Sequence, residues 1–316
     1  MKFLGIAAIA AAIIAGAATS VIAALHFRAT ASRSELPVTP VSATLPHAPE
    51  SYLGVYLPGV PDSYAGVTAF TRATEVKPNV LVYYSGWREP FRASFAVAAA
   101  RQGAVPLVQI DPENVSLAAI TSGQYDSYLG AYAGAVRSYR HPVILSFGHE
   151  MNGSWRSWGY RHTSAADFVT AWRHIVTLFR TLGAGNVTWL WTVNVIEERG
   201  GIPSPAAWWP GGAYVTWVGI DGYYTKSSMT CASLFGPTIV TLRTLSSDPI
   251  LIAETGVAPA AGQAGRIADL FAGIHAYGLL GFAWFDAIGK QDWRLTGPAA
   301  AAALRHGAAA YDRPGS

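Results

Sequence analysis

The sequence contains little cysteine and little charge. Its single cysteine, Cys231, has no partner for a disulfide within the chain, so the fold must be held by packing and hydrogen bonds. Charged residues make up 13% of the chain, the formal net charge is +3, and no run of Lys or Arg occurs. A basic surface of the kind that binds nucleic acid is therefore missing, and we predict no nucleic-acid partner.

Two common cofactor patterns are also missing. No Gly-x-Gly-x-x-Gly follows the first predicted strand, which argues against a dinucleotide-binding sheet. The pair His149-Glu150 begins like a zinc-protease helix, but Gly153 stands where that motif needs its second His. We predict neither a cofactor nor a bound metal ion.

A long apolar run is present at the start of the chain. Lys2 precedes an apolar stretch from Phe3 to Leu25, and Ala29-Thr30-Ala31 offers a small-x-small cleavage site. Residues 1–31 are predicted to be a signal peptide or an N-terminal membrane anchor, since the run is about long enough to span a bilayer. Both alternatives predict an exported protein, either secreted or tethered to the membrane through residues 3–25. Residues 32–50, rich in Ser, Thr and Pro, are predicted to be a linker.

Eight short apolar runs follow, with amphipathic stretches between most of them. The runs cover residues 53–57, 79–86, 105–111, 143–150, 187–194, 215–223, 250–256 and 280–286. Helices are predicted over residues 92–101, 125–139, 165–182, 234–245 and 266–277, and the first-to-second and fifth-to-sixth links look less regular.

This alternation predicts a parallel sheet covered by helices, and eight such units suit a (β/α)8 TIM barrel. A doubly wound open sheet is the structural alternative. Polar residues end most of the apolar runs, which favours the barrel, because its strand ends converge on one face. We predict a single (β/α)8 catalytic domain over residues 51–312 that acts as a monomer.

Two glutamates end the fourth and seventh runs. Retaining glycoside hydrolysis needs two carboxyl groups about 5–5.5 Å apart, and strands four and seven of a barrel could bring Glu150 and Glu254 onto one sugar. The structural alternative for Glu150 is a strand-end carboxylate paired with Arg156 or Arg161.

Four motifs resemble those of glycoside hydrolase family 26, in the family's order. His149-Glu150-Met151-Asn152-Gly153, followed by Trp155 and Trp158, resembles the acid/base motif. The segment 252–256 (Ile-Ala-Glu-Thr-Gly) resembles the nucleophile strand, and 221–223 (Asp-Gly-Tyr) resembles a segment whose Tyr hydrogen-bonds the nucleophile. Trp284 matches the Trp that floors the sugar subsite.

The resemblance implies a metal-independent, retaining enzyme with Glu150 as general acid/base and Glu254 as nucleophile. Predicted substrate contacts are His149, Asn152, Trp155, Trp158, Asp221, Tyr223 and Trp284. For Trp158 a purely structural role, in which its side chain packs within its own loop, is an equal alternative to a contact with sugar.

The predicted function is that of an endo-β-glycosidase acting on a β-linked polysaccharide, foremost β-1,4-mannan. Endo-β-1,4-glucanase or exopolysaccharide hydrolase activity is the alternative within this chemistry, and a catalytically silent glycan-binding barrel is the alternative outside it. The sequence departs from the family at Arg156, where an aromatic residue often follows the Trp, and at Phe285, where mannan-cleaving relatives can have Arg. These departures weaken the prediction of mannan as the substrate.

Overall fold

The computed structural model describes residues 45–197 and 201–311. The predicted leader, residues 32–44 of the predicted linker and residue 312 at the end of the predicted domain lie outside these ranges. No helix among the described residues is long and apolar enough to cross a membrane.

Eight parallel strands close into a barrel in chain order, with the first strand pairing with the last. The strands are β1 (Tyr52–Tyr56), β2 (Val80–Gly86), β3 (Val105–Asp111), β4 (Val143–Phe147), β5 (Val187–Asn194), β6 (Trp217–Asp221), β7 (Ile250–Thr255) and β8 (Gly281–Phe285). The predicted (β/α)8 barrel is confirmed.

Helices surround the barrel. They are α1 (Ala65–Thr74), α2 (Ala93–Arg101), α3 (Leu117–Thr121), α4 (Asp126–Tyr139), α5 (Ala165–Thr181), α6 (Cys231–Leu245), α7 (Gln263–Tyr277) and α8 (Gly297–Ala309). The first-to-second link, which looked irregular in sequence, contains α1 with its buried stripe of Val67, Phe70 and Thr74. The fifth-to-sixth link contains two short 3-10 turns within its described residues.

The core has two layers, which follow from the alternation of side chains along each strand. One layer packs the outer faces of the strands against the helices. The other fills the barrel interior and is smaller, with Trp217 as its largest member. Leu45 belongs to this inner cluster, and the Tyr52 hydroxyl donates to the Pro46 carbonyl oxygen at 2.8 Å, so the last residues of the predicted linker pack against the barrel.

Close packing inside the barrel leaves no room for a side chain at Gly219 on β6. A Cβ atom there would lie 2.5 Å from the Thr192 hydroxyl oxygen. The carboxyl ends of the eight strands of the closed barrel form one rim, which we call the mouth. In barrels of this type the mouth is the face on which sites are built.

Candidate active site

A sharp turn at the end of β4 presents Glu150 to the mouth. The strand ends at Phe147, and both Gly148 and Glu150 have a φ of 56°. A Cβ at Gly148 would lie 3.0 Å from the Phe168 ring and 3.1 Å from the Trp158 ring, so glycine fits this position best. The Glu150 backbone N–H donates to the Thr192 carbonyl oxygen at 3.0 Å, which ties the turn to β5.

Both oxygens of the Glu150 carboxylate accept hydrogen bonds from side chains. The Trp155 indole N–H donates to Oε2 at 2.6 Å, and the Asn194 amide donates to Oε1 at 2.5 Å. The Glu150 residue is 7% exposed, whereas Trp155 is 40% exposed. The carboxylate is therefore fixed in position, with an accessible indole beside it.

Asn152 holds Asn194 in place. Its side-chain oxygen accepts the Asn194 backbone N–H at 2.8 Å, and its amide donates to the Asn194 carbonyl oxygen at 2.9 Å. Asn152 is fully buried, and its contact with substrate stays a prediction. It acts through Asn194, the residue that donates to Glu150.

Glu254 lies near the end of β7 and accepts two tyrosine hydroxyls. Tyr84 donates to Oε1 at 2.5 Å and Tyr223 donates to Oε2 at 2.7 Å. The sequence predicted the Tyr223 contact but missed Tyr84. Tyr84 lies on β2 in the same alternating set as the interior residues Val80 and Val82, and that parity was the available signal.

Opposing influences act on the Glu254 carboxyl group. Burial raises its pKa, and repulsion from Glu150 adds to the rise. The charge that His149 carries when it is protonated and the hydrogen bonds from Tyr84 and Tyr223 oppose this rise, and the net direction of the Glu254 pKa is upward. The influence of Glu150 indicates that the two carboxyl groups interact.

His149 links Glu254 to two charged groups. Its Nδ1 lies 2.9 Å from Asp111 Oδ1, its Nε2 lies 3.0 Å from an Arg156 nitrogen, and Nε2 is 3.9 Å from Glu254 Oε1. Burial lowers the pKa of His149, but Asp111 foremost, together with Glu254 and Glu150, outweighs burial, and the pKa rises to about 9. The Arg156 contact acts against protonation, because a guanidinium can only donate and Nε2 can accept only without a proton. In the neutral ring the proton therefore lies on Nδ1, facing Asp111, and Nε2 accepts from Arg156.

Asp221 ends β6, where it is the register partner of Glu254 on β7, and it is fully buried. Neither of its oxygens has a hydrogen-bond partner among the described residues, and burial, followed by repulsion from Glu254 and Glu150, raises its pKa well above the usual value. Ligand atoms of His149, Asp221 and Glu254 lie within 4.8 Å of one another, as in a metal site. Both nitrogens of His149 are engaged, however, so a metal ion would have to displace Arg156 or Asp111.

Two tryptophans that were predicted to contact sugar are fully buried, and those contacts stay predictions. Trp284 is fully buried in the layer between strands and helices, and its indole donates to the Trp293 carbonyl oxygen at 3.1 Å. Trp158 is also fully buried and donates to the His149 carbonyl oxygen at 2.9 Å, so it closes its loop. The half-buried Phe285 is better placed to contact a sugar. Its ring stacks on Tyr56 with a centroid distance of 4.6 Å, beside Tyr84 and Tyr223.

The chain resembles known carbohydrate-active proteins. It is 27% identical over 256 residues to endoglucanase H of Acetivibrio thermocellus, covering 76% of this chain and 28% of that protein. It is 27% identical over 155 residues to a mannan endo-1,4-beta-mannosidase of Bifidobacterium adolescentis, covering 47% of this chain and 15% of that protein. The chain thus spans less than a third of the length of either relative.

The barrel also resembles solved structures. A Bacteroides ovatus beta-mannanase of family 26 superposes with a TM-score of 0.63 at 15% identity, covering 84% of this chain and 90% of that one, which supports the fold. The sequence profile of Glycosyl hydrolase family 26 matches residues 126–293, which contain both Glu150 and Glu254 and make up more than half of the chain. The chain belongs to glycosyl hydrolase family 26.

Proposed function

We propose that this protein is a retaining endo-β-glycosidase in which Glu150 is the general acid/base and Glu254 is the nucleophile. The observation that carries the proposal is the pairing of these two interacting carboxyl groups at one end of the barrel. Each is almost buried and each is held by two side-chain donors. Salt bridges to Arg156 or Arg161, the structural alternative for Glu150, are absent from the described part of the chain.

The contacts suit a double displacement. In the first step a Glu254 oxygen attacks the anomeric carbon while Glu150 gives its proton to the glycosidic oxygen, and the bond to the leaving sugar breaks. In the second step Glu150 takes a proton from water, the water oxygen attacks the anomeric carbon, and the bond to Glu254 breaks. Two inversions leave the β configuration in place.

The surrounding residues support these roles. Tyr84 and Tyr223 keep Glu254 charged and fix its orientation, since hydrogen bonds donated to a carboxylate favour its ionised form. Trp155 offers an exposed ring next to Glu150, on the side where the leaving sugar would stack. Tyr56 and Phe285 add an aromatic wall on the Glu254 side.

The proposed substrate has a β-1,4-linked mannan or glucan backbone. The relatives named for mannan and for glucan hydrolysis motivate both choices, and the endoglucanase match extends over more of this chain. We further propose, from the sequence of residues 1–50, that the enzyme acts outside the cytoplasm as a secreted or membrane-tethered monomer.

Anion rescue tests the two roles. Glucomannan, galactomannan, barley β-glucan and xylan would be incubated with the parent, with Glu150→Ala and with Glu254→Ala, and reducing ends measured. Both substitutions should nearly abolish release. With an activated aryl glycoside, azide should restore turnover of Glu150→Ala as a β-glycosyl azide and of Glu254→Ala as an α-glycosyl azide. Equal activity of parent and variants would refute the assignment.

A further inference from the structure

Two cations border the proposed catalytic pair without any acid of the described chain at ion-pair distance. They are Arg156, in the loop between β4 and α5, and Lys290, in the loop between β8 and α8. We call them the cationic rim.

Arg156 is held in place by His149 and Trp158. One guanidinium nitrogen contacts His149 Nε2 at 3.0 Å, and the guanidinium carbon lies 5.3 Å from the centre of the Trp158 ring. Its Nε is buried and has no acceptor among the residues that the structure describes. Arg156 is half-buried, and a guanidinium with an unused donor is best satisfied by a carboxylate, which fits its planar fork.

Lys290 reaches the same region from the opposite side of the barrel. Strands β4 and β8 lie four positions apart in the ring of eight, yet the Lys290 ammonium lies 5.0 Å from the centre of the Trp155 ring. A bridge between Ile288 and Asp292 shapes the turn that carries Lys290. The exposed Lys290 ammonium therefore lies over the indole that donates to Glu150.

The acidic groups near the site indicate a role for Arg156 and Lys290. Glu254, which must be ionised as the proposed nucleophile, and Asp111 both lie beside His149 in this region, and their charges would repel a substrate that carries negative charge. A neutral polysaccharide has no need of two additional cations there. An acidic polysaccharide needs them, since the cationic rim offsets the repulsion and supplies hydrogen-bond donors on both sides of the scissile bond.

We infer that the polysaccharide cleaved by this enzyme carries carboxylate groups, and that Arg156 and Lys290 recognise them. The inference rests on the proposed glycosidase function and narrows its substrate class. Two sources present this chemistry: uronic acid residues in the chain, and pyruvate ketals attached to neutral sugars.

The first experiment uses one polymer in three forms: glucomannan, glucomannan lightly oxidised at C6 to uronate, and the oxidised polymer reduced back to the alcohol. At low salt, kcat/KM should be about tenfold higher for the uronate form, which corresponds to one ion pair of moderate strength. Added salt should lower the preference. A pyruvylated β-1,4-glucan, before and after mild-acid removal of the ketal, tests the second source. A preference in either pair supports the inference and identifies the source, and none in both overturns it.

Variants test the residues. Arg156→Gln and Lys290→Gln should each reduce the ratio of kcat/KM between charged and neutral forms, and the double variant should bring it close to one. The matched control is Arg161→Gln, which removes an arginine from the same loop, where it lies 5.3 Å from the Tyr160 ring, and should leave the ratio unchanged. An unchanged ratio in the double variant would refute the role of the rim.

Binding separates the inference from the proposed function. The Glu254→Ala variant would be titrated with uronate-containing and neutral oligosaccharides by calorimetry, after its fold has been checked by circular dichroism. Tighter binding of the uronate form supports the inference even if no polymer is hydrolysed, in which case the proposed hydrolysis alone fails. Equal affinity overturns the inference and leaves the hydrolysis assignment standing.

Discussion

Removing either tyrosine hydroxyl from Glu254 should shift the acid side of the pH–activity profile. Tyr84 and Tyr223 each donate one hydrogen bond to a carboxylate that is 6% exposed. A hydrogen bond to a charged group contributes about 1.5–3 kcal/mol. At about 1.4 kcal/mol per factor of ten, loss of one donor should lower the acid dissociation constant of Glu254 by roughly ten- to a hundredfold.

The direction in which the acid limb shifts follows from the role proposed for Glu254. The nucleophile must be ionised, so activity falls as the pH drops through its pKa, which burial already raises. Without a donor that pKa rises further. The acid limb of kcat/KM should therefore move to higher pH in Tyr84→Phe and in Tyr223→Phe, and furthest in the double variant.

The assay is kcat/KM against pH on the best substrate, with melting temperatures to confirm that each variant is folded. Each variant has a neighbouring tyrosine as its control. Tyr83 packs on the helix side of β2, and the Tyr224 hydroxyl points to Asp269 at 3.4 Å, so Tyr83→Phe and Tyr224→Phe should keep the parental acid limb. An acid limb that stays in place in both test variants would show that Glu254 is not the group that titrates.

Three further predictions follow from the packing of the site. Asn152→Ala leaves the backbone groups at the end of β5 without partners and should cost about 1–3 kcal/mol of unfolding free energy in a denaturant titration; an unchanged midpoint would contradict this. Trp155→Phe keeps a ring but removes the donor to Glu150, so kcat should fall more than KM rises, and the reverse would indicate a role in binding alone. Gly219→Ala forces a methyl group against a threonine hydroxyl inside the barrel and should lower stability by about 1–3 kcal/mol, as measured by thermal unfolding.

The repeating pattern of the sequence was sufficient to predict the barrel. Eight apolar runs separated by helical stretches admit few arrangements, and strands such as β3 and β5 were predicted to the residue. The predicted strands are too long where the apolar run continues into a turn. The fourth run was extended to Glu150, whereas β4 ends at Phe147 because the backbone reverses at Gly148.

Side-chain direction was harder to predict than strand position. A motif match could identify Trp284 but could not determine which face of β8 it occupies, and a shift of one residue moves a side chain from the mouth to the helix layer. In the structure Phe285, the next residue, faces the mouth side. The contact between the distant residues Asn152 and Asn194 leaves no local pattern in the sequence, so it could be found only once the fold was known.

The turn at the end of β4 places the proposed acid/base residue, Glu150, in an unfavourable backbone conformation. A positive φ costs a residue with a Cβ about 1–2 kcal/mol, and glycine avoids this cost. Glu150 occupies such a position, so Glu150→Gly should unfold at a higher temperature than Glu150→Ala, although both lack the carboxylate. Selection for stability alone would replace this glutamate with glycine, and its presence marks a position where chemistry and folding favour different residues.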